Sequence, residues 1–456
     1  MSESLVEIEL PPASSDAPPS AVPATHLPTA ASTPVAVSPP HRKPLPEVSA
    51  KRSLLREQMV LLRLALRVAT ELSPRALWKM LYLYAAKGAG AIWAYKRRLA
   101  KGELYPPFLF IAITNSCNLR CHGCWVEKEG EGHVLGLDEI DLMIESGKRR
   151  KSYYYTLLGG EPFLVKDIWK IFETHSDCYF QTITNGMIFT EANVERLKRL
   201  GNVTPLVSLD GFEQQNDLRR GDGVWQAAMK GLERLKEAKL FYGIATTATG
   251  LNLEEVMSDE YVEYFIERGA MYIWYYVYRP MSPEPHTEYC VSEEQLLWLR
   301  RRLLELRRKH PILIIDTYWT ADGEAFCPAA TGLGFHIGPK GSIEICPALS
   351  FATDNVQNHQ DDLWDAFDQN DLLRTFQGFV QERTKGCVIL ENPQELHDQL
   401  RELNAQDTSG RDTAFDELNA LTPRHSHHLP GREVPEDFWF YRLLKKNVFF
   451  GMGAIG

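Results

Sequence analysis

Between Phe108 and Lys309 the chain alternates between short apolar or β-branched runs and stretches of helical periodicity. The runs are Phe108–Thr114, Tyr153–Leu158, Tyr179–Thr184, Val203–Leu209, Tyr242–Thr249 and Tyr272–Tyr278. Helical stretches accompany them at Leu137–Lys148, Glu191–Leu200, Gly223–Ala238, Leu253–Arg268 and Ser292–Lys309. Neighbouring parallel strands need long crossovers, which helices supply. The pattern therefore predicts an α/β fold built on a parallel sheet, a partial (β/α)6 barrel. Function in such folds gathers at the carboxyl ends of the strands, and the chemically informative residues fall there.

The flanks have a different character. Residues 1–50 are rich in Pro, Ala, Ser and Thr and bury too little apolar surface to offset their ordering entropy, which predicts disorder. Residues 51–102 read as a basic helical extension. Leu55, Met59, Leu62 and Leu66 recur at helical spacing, interleaved with Arg56, Arg63 and Arg67. Ser73 and Pro74 read as an N-cap and first helical residue, opening a second helix through Leu77, Met80, Leu81 and Tyr84. Residues 51–101 hold twelve Lys and Arg against two acidic residues, while the whole chain carries −10. Two interpretations stay open: an acidic partner or anionic membrane surface, or packing on the chain's own acidic body.

The net charge of −10 argues against a protein that coats nucleic acid. No run of about 20 apolar residues suggests a membrane span. The start, with Glu3, Glu7 and Glu9, does not resemble a signal peptide. Eight cysteines without an export signal imply a reducing, cytoplasmic setting, where thiols serve as core residues, metal ligands or catalytic groups.

Spacing separates these roles. The first strand run ends in ITNSCNLRCHGCW, which sets Cys117, Cys121 and Cys124 as C-x3-C-x2-C. Three thiolates on a short loop can hold an iron–sulfur cube with one iron left open, unlike a closed four-cysteine cluster. A zinc knuckle or inert thiols are the alternatives. LLGGEPFL follows the second run, and VSLDG ends the fourth.

Together these segments resemble the radical S-adenosylmethionine (SAM) superfamily. The resemblance implies that Cys117, Cys121 and Cys124 hold a 4Fe–4S cluster whose open iron chelates SAM. It places Gly159, Gly160, Glu161 and Pro162 at SAM's amino group, and Ser208 and Asp210 near its ribose, with the substrate a second option for Asp210. Arg279 would meet SAM's carboxylate or an anionic substrate. Asn185-Gly186 is either a cofactor contact or an ordinary turn. Thr246 or Thr247 points inward, and Tyr276 stands at the mouth. Many members carry an aromatic residue before the third cysteine. Here that position is Gly123, and Trp125 either takes the adenine contact or is a core residue.

Farther on, Cys327, Gly341 and Cys346 follow a C-x13-G-x4-C pattern similar to the start of a SPASM or twitch extension. Cys387 and Cys290 would complete four ligands for one auxiliary 4Fe–4S cluster, with Gly341 turning a hairpin. The later cysteine block of a full SPASM module is absent, and Cys178 is left as a core thiol. The resemblance divides the chain into a barrel over 103–315, a twitch-like region over 316–395 and a tail over 396–456. It implies an oxidoreductase or coupling enzyme that cleaves SAM to a 5′-deoxyadenosyl radical and abstracts hydrogen from a peptide or lipid-like substrate. Its electron donor would be reduced ferredoxin or flavodoxin. The basic helices and the aromatic tail, including Lys445, Lys446, Phe449 and Phe450, suggest peripheral membrane contact. A non-catalytic iron–sulfur carrier that kept the barrel is the alternative.

Overall fold

The computed structural model describes residues 45–48, 53–126, 132–282 and 284–447. All but 45–48 of the segment expected to be disordered lies outside this range, as do Phe449 and Phe450. Residues 45–48 themselves are docked: the Pro46 carbonyl accepts from Trp298 Nε1 at 2.7 Å.

Eleven strands form one sheet among the described residues. They are β1 (Phe108–Thr114), β2 (Tyr154–Gly159), β3 (Tyr179–Thr184), β4 (Val203–Ser208), β5 (Gly243–Ala248), β6 (Tyr272–Val277), β7 (Leu313–Ile315), β8 (Gly334–Ile337), β9 (Ser342–Cys346), β10 (Leu349–Asn355) and β11 (Gln406–Asp407). The spatial order is β11-β10-β9-β8-β1-β2-β3-β4-β5-β6-β7. From β1 to β7 neighbours run parallel. The six strand–helix units appear close to where periodicity placed them. The short β7 is an addition that three residues of sequence could not announce. These strands are buried on both faces, β4 completely, as sheets covered by crossover helices must be.

The second cysteine region does not form a separate body. β8 pairs in parallel with β1, with Phe108 opposite Gly334 and Ile111 opposite Ile337. β9, β10 and β11 then continue antiparallel. Gly341 turns the β8–β9 hairpin as expected.

The N-terminal extension forms a helix, Leu54–Glu71, and a second helical stretch over Pro74–Leu99 with a π-helical segment at Met80–Ala86. Ser73 caps the second stretch, its Oγ accepting from the Ala76 N–H at 3.3 Å. The first helix packs through Glu57, Val60, Leu64 and Arg67. Its regularly spaced residues Leu55, Met59, Leu62 and Leu66 are 71%, 42%, 53% and 54% exposed, while Val60, Leu64, Glu57 and Arg67 are buried. Arg67 explains the orientation. Its guanidinium pairs with Glu71 on the same helix and donates to the carbonyls of Pro311, Ala270 and Ile266 at 2.8, 3.0 and 3.2 Å, three partners that lie on the body of the protein.

The tail expected over 396–456 is largely ordered structure. Helices Pro393–Glu402, Ala414–Ala420 and Trp439–Asn447 pack on the body. Lys445, read from sequence as a membrane-facing cation, is buried and pairs with Asp316 at 3.4 Å. Phe438 and Tyr441 are buried too, and Trp439 is exposed.

Candidate functional site

A cavity of about 400 Å³ opens at the carboxyl ends of β1–β6. Both cysteine sets line it: Cys117, Cys121 and Cys124 on one wall, Cys327, Cys346 and Cys387 on the other. All eight cysteines are free thiols. Among the described residues, no three His, Cys, Asp or Glu side chains converge on a single ion's coordination sphere.

Two glycines seat the first cysteine loop against β2. A Cβ on Gly159 would stand 2.1 Å from the Thr114 carbonyl oxygen, and one on Gly160 would stand 2.0 Å from that of Ser116. Only glycine allows this approach, which brings the Gly160 and Glu161 N–H groups within 2.7 and 2.9 Å of those carbonyls. On the far side, Asn185 Nδ2 donates to Asn118 Oδ1 at 2.8 Å, and the His122 N–H donates to the Arg219 carbonyl. Asn185 is thus more than a turn residue.

Glu161 is buried and lines the cavity. Its carboxylate accepts from the Asn185 N–H and Thr184 Oγ1 at 2.8 Å each, and from the Phe163 N–H at 3.2 Å. Burial nevertheless dominates and raises its pKa to about 7. Gly159, Gly160 and Ser208 also line the cavity, while Pro162 is buried beside it without doing so.

Asp210 is 1% exposed. It does not line the cavity. One carboxylate oxygen pairs with Arg219 and Arg220 at 2.5 and 2.7 Å, and the other accepts from the Thr247 N–H at 2.7 Å. Burial opposes its charge, but the two arginines outweigh it and hold the pKa below the usual range. With both oxygens committed, Asp210 is a positioning residue for the arginines. Burial also opposes the charge of Arg219, which Asp210, Cys121 and Cys124 stabilise. Arg219 and Arg220, unnoticed in the sequence, therefore bring positive charge to the first cysteine loop. Thr247 faces the cavity, whereas Thr246 is buried and shares a hydrogen bond with Tyr261.

Arg279 lines the cavity and touches the second cysteine set. Its Nε lies 3.0 Å from Cys387 Sγ, and its Nη1 donates to the carbonyls of Val277 and Tyr278. It belongs to the second cysteine set. Burial pushes the thiols of Cys327 (to about 11) and Cys346 upward, so both need a nearby cation to ionise. Cys290 does not line the cavity with the other three; Arg424, Arg279 and Glu288 are its charged neighbours. Cys178 is fully buried in the core. Trp125 lines the cavity and meets His336 edge-on at 5.6 Å.

The remaining wall is apolar and aromatic, including Phe108, Phe110, Ile183, Tyr318 and Phe326. Trp274 and Tyr276 stack on it with centroids 5.5 Å apart. Among the described residues, their Nε1 and hydroxyl groups are buried without a hydrogen-bond partner. Only their period-two placement on β6 hinted at a shared inward face.

Residues 111–260 match the model of the radical SAM superfamily. This part of the chain is similar to the domains of that superfamily, which uses a 4Fe–4S cluster and SAM. The sporulation killing factor maturation protein SkfB of Bacillus subtilis (strain 168) is 28% identical over 164 residues, 35% of this chain and 40% of SkfB. The AdoMet-dependent heme synthase of Oleidesulfovibrio alaskensis is 26% identical over 147 residues, 31% of this chain and 38% of the synthase. The chain thus matches less than half the length of these two relatives. The crystal structure of Streptococcus suis SuiB bound to precursor peptide SuiA has a similar fold, with a TM-score of 0.52 and 19% identity, covering 64% of this chain and 71% of SuiB. Among the described residues no helix is long and apolar enough to cross a membrane.

Proposed function

We propose that the chain is a radical SAM oxidoreductase or coupling enzyme that abstracts hydrogen from an apolar group held between two iron–sulfur clusters. The observation that carries this is the single cavity lined by both cysteine sets, Glu161 and an aromatic wall. Cys117, Cys121 and Cys124 hold the SAM-binding cluster, and Cys327, Cys346 and Cys387 an auxiliary one. When bound, the first cluster and SAM supply a 5′-deoxyadenosyl radical. Residues 103–315 serve SAM, and 316–395 contribute the second cysteine wall.

The chain's own groups orient the reactants. Glu161 receives the SAM ammonium, Gly159 and Gly160 let the backbone approach it, and Ser208 lies near the ribose. Trp125 offers a ring face at the first cluster. Trp274 and Tyr276 present two unsatisfied polar groups, so the substrate is apolar but carries a hydrogen-bond acceptor there. SkfB is named as a maturation protein, which favours a peptide substrate. Reduced ferredoxin or flavodoxin is the electron donor in this scheme.

The exposed stripe of Leu55, Met59, Leu62 and Leu66, beside exposed Arg56 and Arg63, favours peripheral contact with an anionic bilayer. The test of function is anaerobic: reconstituted protein with dithionite and SAM yields 5′-deoxyadenosine and methionine. Intact clusters without SAM cleavage would favour the electron-carrier alternative instead.

A further inference from the structure

Three thiolates line the inner wall of the cavity, and a closed cube takes four protein ligands. Cys290, the fourth candidate by sequence, does not line that wall. His427 does, and it is 3% exposed.

Its position is held from several sides. The preceding residue, Ser426, accepts from the Cys387 N–H through Oγ at 3.1 Å. His427 Nε2 lies 3.1 Å from the carbonyl oxygen of Phe326, the neighbour of Cys327. The His427 carbonyl accepts from Trp319 Nε1 at 3.1 Å. The ring packs on Tyr318 at 5.0 Å, and Tyr318 in turn lies 5.5 Å under the Arg279 guanidinium that contacts Cys387. His427 is therefore tied to the immediate neighbour of Cys327, and its own neighbour Ser426 to Cys387.

Of the two ring nitrogens, only Nε2 has a hydrogen-bond partner among the described residues. A carbonyl can only accept, so Nε2 carries the proton and Nδ1 presents a bare lone pair. Nδ1 is buried with no hydrogen-bond partner among the described residues. Such an orphan is costly and calls for a reason. An imidazole with one nitrogen donating to a backbone carbonyl and the other bare is oriented as metal-ligating histidines are.

We propose that His427, through Nδ1, is the fourth protein ligand of an iron–sulfur cluster held by Cys327, Cys346 and Cys387. This rests on the auxiliary-cluster assignment above. A neutral imidazole in place of a thiolate makes the cluster less negative and raises its potential, as histidine ligation does in Rieske centres. The cluster thereby suits the receipt of an electron from a substrate radical.

The experiment isolates the second cluster. Full-length protein carrying Cys117→Ala, Cys121→Ala and Cys124→Ala is reconstituted with iron and sulfide, reduced, and measured by pulsed EPR with and without 15N-histidine labelling. The expected result is a strongly coupled histidine nitrogen that changes with the isotope. The coupling should disappear in His427→Cys, with iron retained and the reduction midpoint lowered, which assigns it among the thirteen histidines. A reduced cluster without histidine coupling would overturn the His427 assignment and leave the auxiliary cluster standing. Absence of iron from the triple variant would overturn both. The first measurement needs no substitution at His427, so misfolding there cannot obscure the result.

Discussion

Glu161 shows how one side chain joins fold and cofactor. Its raised pKa of about 7 arises from burial, and its three hydrogen-bond donors only partly offset that cost. An ammonium partner needs the carboxylate, which is the majority form only above that pKa. SAM affinity should therefore weaken as pH falls from about 8 to about 6, with the ammonium itself displacing the midpoint downward. Titration of reconstituted protein with SAM at both pH values tests this. Glu161→Gln should bind SAM more weakly at about pH 8, by the roughly 1.5–3 kcal/mol of a charge-assisted hydrogen bond, with a smaller gap at about pH 6, and lose most of the pH dependence. Equal affinity in the two proteins would place the ammonium elsewhere. The glutamate, its glycines and the three cysteines were legible because their spacing is local. Arg279 was not: it stands at a strand end, as expected, but its sulfur partner Cys387 lies 108 residues farther on.

At the scale of elements, a buried charge network attaches the last described helix to the body. Asp316 is fully buried and pairs with Arg307, Arg300 and Lys445, while Arg307 also pairs with Glu436. Burial alone would raise the Asp316 pKa, but Lys445 and the two arginines hold it far below the usual carboxylate range. Removing the shared carboxylate leaves buried cations unpaired. Asp316→Ala should cost about 3–5 kcal/mol, measured as a lower denaturant midpoint of the apoprotein. A change under about 1 kcal/mol would show that water or a rearrangement replaces the carboxylate. Helix Leu54–Glu71 supplies a second test. Leu55, Leu62 and Leu66 are more than half exposed, so changing them to Glu should leave the fold intact. Native protein should sediment with phosphatidylserine vesicles at low salt and less at high salt, each nearby arginine contributing about 1 kcal/mol. The triple-Glu protein should not. Native protein that ignores these vesicles at low salt would make the stripe an ordinary exposed face.

For the whole molecule, the continuity of the sheet matters most. Because β8 pairs with β1, the second cysteine wall is built onto the strand that leads into the first cysteine loop. The two clusters should then load independently but share one cavity. Substituting Ala for Cys117, Cys121 and Cys124 should leave about half the iron, as one of two equal cubes, and abolish SAM cleavage. Full iron retention, by chemical iron analysis, would refute the assignment of the first set.

The sequence alone determined the alternation of strands and helices, the cysteine loop, the GGEP turn and the β8–β9 hairpin. Each depends on neighbours a few residues apart, through periodicity, turn chemistry or thiol spacing. Tertiary structure decided the rest: that Asp210 serves two arginines, that the leucine stripe faces outward and that Lys445 faces inward. It also brought His427 to Phe326, 101 residues away. Buried charges and orphaned lone pairs take their roles from whatever the fold brings beside them, and no local spacing carries that information.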